Sequence, residues 1–204
     1  MSDGKSGITW REAHADPVYR ALKWIAIAGV ALWLGYEGYD HFAERAPGDM
    51  AYLSANNAFE DARYEDAAEG YRAALASNPE HLPALRGLAN SEIRLKRYGE
   101  ALKTIEQAMA LDPAFAGHYA TRGIIYDRMG RYERAMADYE TALERDPELA
   151  DGMHWLDRFL YNIQEPPPTI ADRLRYLKQQ MALPEEERVL SIPEIDDAQR
   201  PYEQ

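Results

Sequence analysis

Three stretches decide the fold: "ALASNPE" at residues 74–80, "AMALDPA" at 108–114 and "ALERDPE" at 142–148. Their prolines, Pro79, Pro113 and Pro147, lie 34 residues apart (113 − 79 and 147 − 113). Other columns keep the same step: Ala67, Ala101 and Ala135; Ala74, Ala108 and Ala142; Tyr64, Tyr98 and Tyr132; Tyr71, Ile105 and Tyr139. Each proline ends a helix, because it cannot donate the next backbone hydrogen bond and it restricts its predecessor. Ala55, Ala89 and Gly123 are small where paired helices must approach closely, and Ala67, Ala101 and Ala135 are small from the other side. The pattern predicts helix pairs over 49–61 with 65–77, 82–95 with 99–111, and 116–129 with 133–145. A lone hairpin cannot bury its apolar face, so the three pairs stack into an all-α solenoid.

A period of 34 residues with small, aromatic, alanine and proline columns at fixed offsets resembles the tetratricopeptide repeat. The third copy carries the pattern most fully, with Tyr119, Gly123, Tyr126, Gly130, Tyr132, Ala135, Tyr139, Ala142 and Pro147 in place. The second departs at Glu92, where an aromatic is usual, and the first at Ala58. The resemblance runs from Gly48 to about Ile163 and implies a right-handed solenoid with a concave side lined by the first helix of each pair. A fourth register opens with "ADGMHWLDRFLYNI" and is stopped by "EPPP" at residues 165–168. Thr169 is then placed to cap the start of a helix "IADRLRYLKQQMAL". Its Ile170, Leu174, Leu177 and Met181 recur at helical spacing, as expected of a helix that covers the open end of a solenoid. The remaining segment, 184–204, is acidic and proline-punctuated. It reads either as a disordered tail or as an extended docking segment anchored by Val189, Leu190, Ile192, Ile195 and Tyr202.

Ahead of the repeats stands "LKWIAIAGVALWLGYEGY", residues 22–39, whose unbroken apolar part is 24–36. As a helix, about 13 residues rise about 20 Å against roughly 30 Å of hydrocarbon. An extension over 18–39 reaches the required length if Arg20 and Lys23 snorkel to one interface while Tyr36 and Tyr39 sit at the other. No small-residue cleavage site follows, so the stretch reads as an uncleaved membrane anchor, with a buried soluble helix as the alternative. Arg11, Arg20 and Lys23 precede it and the next basic residue is Arg45, which predicts a cytoplasmic N-terminus and a periplasmic repeat domain at a bacterial inner membrane. Ala28, Ala31, Gly35 and Gly38 form a small-residue stripe suited to helix packing in lipid. The expected order is therefore a cytoplasmic segment 1–17, an anchor 18–39, a linker 40–48, the solenoid 49–163, a Pro-rich turn and capping helix 164–183, and the tail 184–204.

A formal net charge of −12 argues against nucleic acid as a partner, and the absence of cysteine removes disulfides and thiolate chemistry. Five histidines, His14, His41, His81, His118 and His154, read as surface residues near helix starts and not as a metal site. No Gly-rich phosphate loop, H-E-x-x-H or nucleophile elbow is found, and the expectation is a chain without catalysis, cofactor or small-molecule substrate. By register the groove is lined by Tyr52, Asn56, Phe59, Arg86, Asn90, Arg94, Ile124 and Arg128. Arg86 and Asn90 resemble half of the carboxylate clamp by which some tetratricopeptide proteins hold a peptide's C-terminal carboxylate. Thr121 stands where that pattern has asparagine, and Asp151 and Trp155 where it has basic residues. The layout is similar to membrane-anchored tetratricopeptide factors of cytochrome c maturation and of the secretion translocon. It implies a non-catalytic adaptor, an accessory or assembly subunit of a respiratory, photosynthetic or cytochrome-maturation complex. The alternative is a periplasmic chaperone-like peptide receptor associated with secretion. The partners expected are proteins of a membrane complex and, through the N-terminal helix, the lipid bilayer.

Overall fold

The computed structural model describes residues 17–43, 48–151 and 168–193. The expected N-terminal segment, the central part of the linker, the opening of the fourth register with Trp155, and the tail positions Ile195 and Tyr202 lie outside the described residues. The chain divides into two compact units, Met1–Ala46 and Pro47–Gln204.

The first unit contains helix α1, Pro17–Ala43. Its stretch Pro17–Glu37 is long and apolar enough to cross a membrane, with a mean hydropathy of 1.3 and none of it buried. Trp24, Leu32 and Tyr36 of this helix are 67%, 75% and 66% exposed.

The second unit holds three helix pairs: α2 (Asp49–Glu60) with α3 (Tyr64–Ser77), α4 (Leu82–Arg94) with α5 (Tyr98–Leu111), and α6 (Ala116–Arg128) with α7 (Tyr132–Arg145). Their ends fall within a residue of the positions read from the period. The turn inside each pair repeats as closely as the helices. Ala62, Lys96 and Gly130, again 34 apart, all adopt left-handed backbone with φ of 58°, 59° and 71°. After each, the N–H of Arg63, Arg97 or Arg131 donates back to the carbonyl of Ala58, Glu92 or Tyr126 at 2.8 Å, satisfying an orphan carbonyl of the helix end.

The alanine columns are the contact points. Ala67, Ala74, Ala89, Ala101, Ala108, Ala135 and Ala142 are all fully buried. A Cβ placed on Gly123 would lie 2.7 Å from the Tyr139 ring and 3.3 Å from the Ala135 carbonyl, so only glycine lets these helices touch. Ile124, read from register as facing the groove, is instead fully buried in the core with Ile125 and Tyr139. The helix turn at this position places it against the next layer, where an apolar side chain gains more than at a wet face.

Glu92, the departure in the second repeat, is buried but fully partnered. It accepts from the Thr104 hydroxyl at 2.8 Å and from Arg72 of the preceding repeat at 3.0 Å. Burial pushes its carboxyl above the usual range, against the opposing pull of Thr104 and Arg72. A polar tie between repeats thus stands where an aromatic would pack. A second tie, from Arg97 to Glu65, is bidentate at 3.0 and 2.9 Å and exposed.

Helix α8, Ile170–Met181, begins as the sequence predicts. The Thr169 hydroxyl accepts from the Asp172 N–H at 3.1 Å while Asp172 accepts from the Thr169 N–H at 3.2 Å, closing a reciprocal cap. Ile170, Leu174 and Leu177 enter the same core as α6 and α7, and Met181 is half-buried. Arg173 of this helix is also buried, paired with Asp127 of α6 at 2.7 and 2.8 Å. The segment that follows folds back on α8: the Val189 N–H donates to Gln180 at 2.7 Å, and Arg173 donates to the Leu190 carbonyl at 2.8 Å. Leu190 packs on the core while Val189 stays exposed.

Candidate peptide-binding groove

A cavity of about 240 Å³ opens between α2, α3 and α4. Tyr52, Asn56 and Phe59 reach it from one side and Arg86 and Asn90 from the other, one helical turn apart on their helices. Tyr71, Pro83, Gly87 and Glu60 complete the lining. Five positions taken from register therefore meet at one place.

Arg94 and Arg128 are not among the lining residues. Arg94 donates to the Tyr64 hydroxyl at 3.0 Å and lies 5.2 Å from that ring's centroid, an attachment that turns it toward the loop of the first repeat. Arg128 is half-buried at the end of α6.

Register missed Tyr71, Pro83, Gly87 and Glu60, of which Tyr71 and Gly87 shape the cavity most. A Cβ on Gly87 would sit 2.4 Å from the Tyr71 ring, so the glycine lets the tyrosine lie flat on α4 as the floor of the cavity. The sequence did carry a signal: a glycine inside a helix costs about 1 kcal/mol relative to alanine and needs a packing reason. The Tyr71 hydroxyl donates to Asn56 Oδ1 at 2.6 Å. Asn90 is 3% exposed, and its Oδ1 is enclosed without a hydrogen-bond partner. The Arg86 guanidinium lies 5.0 Å from the Phe115 ring centroid, held near the mouth by a cation–π contact. The groove thus combines aromatic walls with N–H donors, and its one lining carboxylate, Glu60, stands at the exposed edge.

Two histidines expected at the surface are buried. His81 accepts from the Ala84 N–H through Nδ1 at 3.2 Å, capping α4, and so donates through Nε2 to Asp49 at 3.0 Å. His118 donates through Nδ1 to the Asp112 carbonyl at 3.0 Å, and burial lowers its pKa. Helix starts here lie at the joints between repeats, where imidazole can satisfy orphan backbone groups and still pack. No group of three His, Asp or Glu side chains that could hold a metal ion occurs among the described residues.

In α1, Ala28 and Ala31 are exposed and a Cβ on Gly35 would meet nothing within 4 Å among the described residues; Gly38 lies further along the same helix.

Family models described as tetratricopeptide repeat match residues 52–115 and 88–154. Hsp70-Hsp90 organizing protein 2 of Arabidopsis thaliana is 34% identical over 109 residues, 52% of this chain and 19% of that protein. U-box domain-containing protein 70 of Oryza sativa subsp. japonica is 32% identical over 123 residues, 59% of this chain and 14% of its own length. The chain thus spans a fifth or less of these relatives. Among solved structures, the first tetratricopeptide domain of human RPAP3 aligns with a TM-score of 0.54 at 21% identity, covering 67% of this chain and 94% of that one. The same domain bound to the HSP90 peptide SRMEEVD aligns at 0.55 and 21%, covering 68% and 97%. These structures share the fold. Through residues 52–154, matched by these family models, the chain belongs to the tetratricopeptide repeat family.

Proposed function

We propose that this chain is a non-catalytic adaptor, anchored in a bacterial inner membrane by α1, whose solenoid holds an extended segment of a partner protein by its oxygen-rich end. The observation that carries this reading is the cavity between the first two repeats, where Arg86, Asn56 and Asn90 stand beside the rings of Tyr52 and Phe59. Donors that converge in a part-buried site favour carboxylate and carbonyl oxygens, and the aromatic walls take apolar side chains next to them. The relatives named for organizing Hsp70 and Hsp90 support an adaptor role. The exposed apolar surface of α1 supports the anchor, and its open small-residue stripe at Ala28, Ala31 and Gly35 suits a partner helix packed closely in lipid. The solenoid is then periplasmic and the chain an accessory or assembly subunit of a membrane complex.

The groove is tested with the full chain in detergent and the peptide SRMEEVD as an acidic probe. Arg86→Glu is expected to cost about 2–5 kcal/mol of binding, roughly thirtyfold or more in Kd, with unchanged circular dichroism. Equal affinity of the variant would remove the groove from the reading. The anchor is tested separately: protease added outside spheroplasts should digest the repeats and leave the N-terminus protected. A mature chain beginning after Tyr39, or release of the protein by alkaline carbonate, would sink it.

A further inference from the structure

We propose that the joint between the second and third repeats is a second docking site, outside the groove, where Arg131 and Arg134 receive a carboxylate side chain from an acidic segment of a partner protein. The inference goes beyond the groove reading and does not depend on it.

The preceding joint shows what this one lacks. Arg97 donates to Glu65, in the first turn of α3, through two hydrogen bonds of 3.0 and 2.9 Å, the fork by which a guanidinium grips a carboxylate. The arginine belongs to a column, Arg63, Arg97 and Arg131, each next to the left-handed residue of its turn. The column of its counterpart runs Glu65, Gly99 and Glu133. Arg131 therefore has a glycine in register where Arg97 has a glutamate. Gly99 is exposed at the start of α5, and a Cβ built on it would meet nothing within 4 Å, so the surface above it is open.

The neighbouring columns change in the same sense. Arg72 ties the first joint by holding Glu92 at 3.0 Å and Glu100 at 3.6 Å. One repeat on, those three positions are Glu106, Tyr126 and Arg134. With the Glu65–Arg97 column included, the first joint has two arginines and three glutamates, and the second has two arginines and one glutamate. The Tyr126 ring gathers three guanidinium groups, those of Arg122, Arg131 and Arg134, at 5.8, 6.0 and 5.7 Å from its centroid. Arg122 is paired with Asp138 at 2.8 and 2.7 Å, and Glu106 also acts on it. Arg131 and Arg134 are exposed and, among the described residues, in no ion pair. An anion received there offsets the repulsion between like charges collected at one ring. The pair one joint earlier is a carboxylate on a guanidinium, which points to an aspartate or glutamate side chain. A chain of net charge −12 repels a polyanion as a whole, so the fit is to one or two carboxylates flanked by neutral residues.

The probe is the blocked peptide Ac-AAEEAA-NH2, which carries two carboxylates and no charged ends. The full chain in detergent, with nitrogen-15 in its arginines, is titrated while the Arg131 Nε–H resonance is followed by NMR. That resonance is identified by its loss in Arg131→Lys, and it reports this joint without registering the groove. A saturable shift is expected with a Kd of about 1 mM, weak because exposed ion pairs are weak and effective as one of two linked contacts. Gly99→Glu restores the column within the chain. Its carboxylate should shift the resonance before peptide is added and weaken the peptide by about tenfold or more, since a tethered group competes at high effective concentration. Ala110→Glu adds the same charge about three turns further along α5 and should change Kd by less than about twofold. Arg134→Gln should weaken the peptide by about threefold. The absence of a saturable shift up to about ten times the expected Kd would overturn the proposal, as would a Gly99→Glu chain that binds as tightly as the native one. If sodium phosphate at equal concentration moves the resonance as far, the joint takes anions in general. If phosphatidylglycerol added to the micelle moves it without peptide, the occupant is a membrane surface. Either result overturns the assignment to an acidic protein segment.

Discussion

Arg173→Ala is expected to destabilise the repeat unit by about 3–5 kcal/mol, the cost of leaving one partner of a buried ion pair uncompensated. The side chains of Arg173 and Asp127 are 3% and 1% exposed, and their pair is bidentate. Without the guanidinium, Asp127 keeps only the Tyr139 hydroxyl, 3.2 Å away, inside the core between α6 and α8. The loss also removes the donor to the Leu190 carbonyl, releasing the segment that folds back on α8. Urea unfolding of the full chain in detergent, followed by circular dichroism, should show the midpoint fall. The double variant Arg173→Met with Asp127→Leu should recover most of it, because an apolar pair of similar size removes the uncompensated charge. A single variant as stable as the native chain would mean that α8 is not docked as described.

Leu177→Ala should cost about 2–5 kcal/mol by the same measurement, from lost burial and an unfilled cavity. Leu177 is fully buried and shares its core with α6 and α7. Leu183, two residues past the end of α8 and 37% exposed, provides the comparison: Leu183→Ala should stay within about 0.5 kcal/mol. Similar effects at both positions would show that α8 is a free arm and not the cap of the solenoid.

The groove stands between what is legible in a sequence and what is not. Tyr52, Asn56, Phe59, Arg86 and Asn90 could be named from register alone, because a period of 34 residues fixes which face of each first helix recurs. Arg94 shares that register but does not line this cavity; it is held by the nearby ring and hydroxyl of Tyr64. Side-chain direction at the end of a helix depends on what lies beside it, and register is silent on that. Tyr71 looked like a core aromatic and is one, but its hydroxyl reaches into the site, 15 residues along the chain from its partner.

The sequence by itself determined the helix pairs, the close contacts at alanine and glycine, and the capped start of α8. These rest on local rules: proline stops a helix, small residues admit a neighbour, and threonine with aspartate closes a helix start. Only the tertiary structure decided the fate of the charged and polar residues. Glu92, Arg173, Asp127, His81 and His118 belong to types that water normally keeps, yet all are buried. For the charged ones a partner arrives from elsewhere in the chain: Arg72 for Glu92 from 20 residues away, and Asp127 for Arg173 from 46. Burial of a charge is favourable only where its counterpart is already aimed at it, and that condition is met by packing, which no local pattern records.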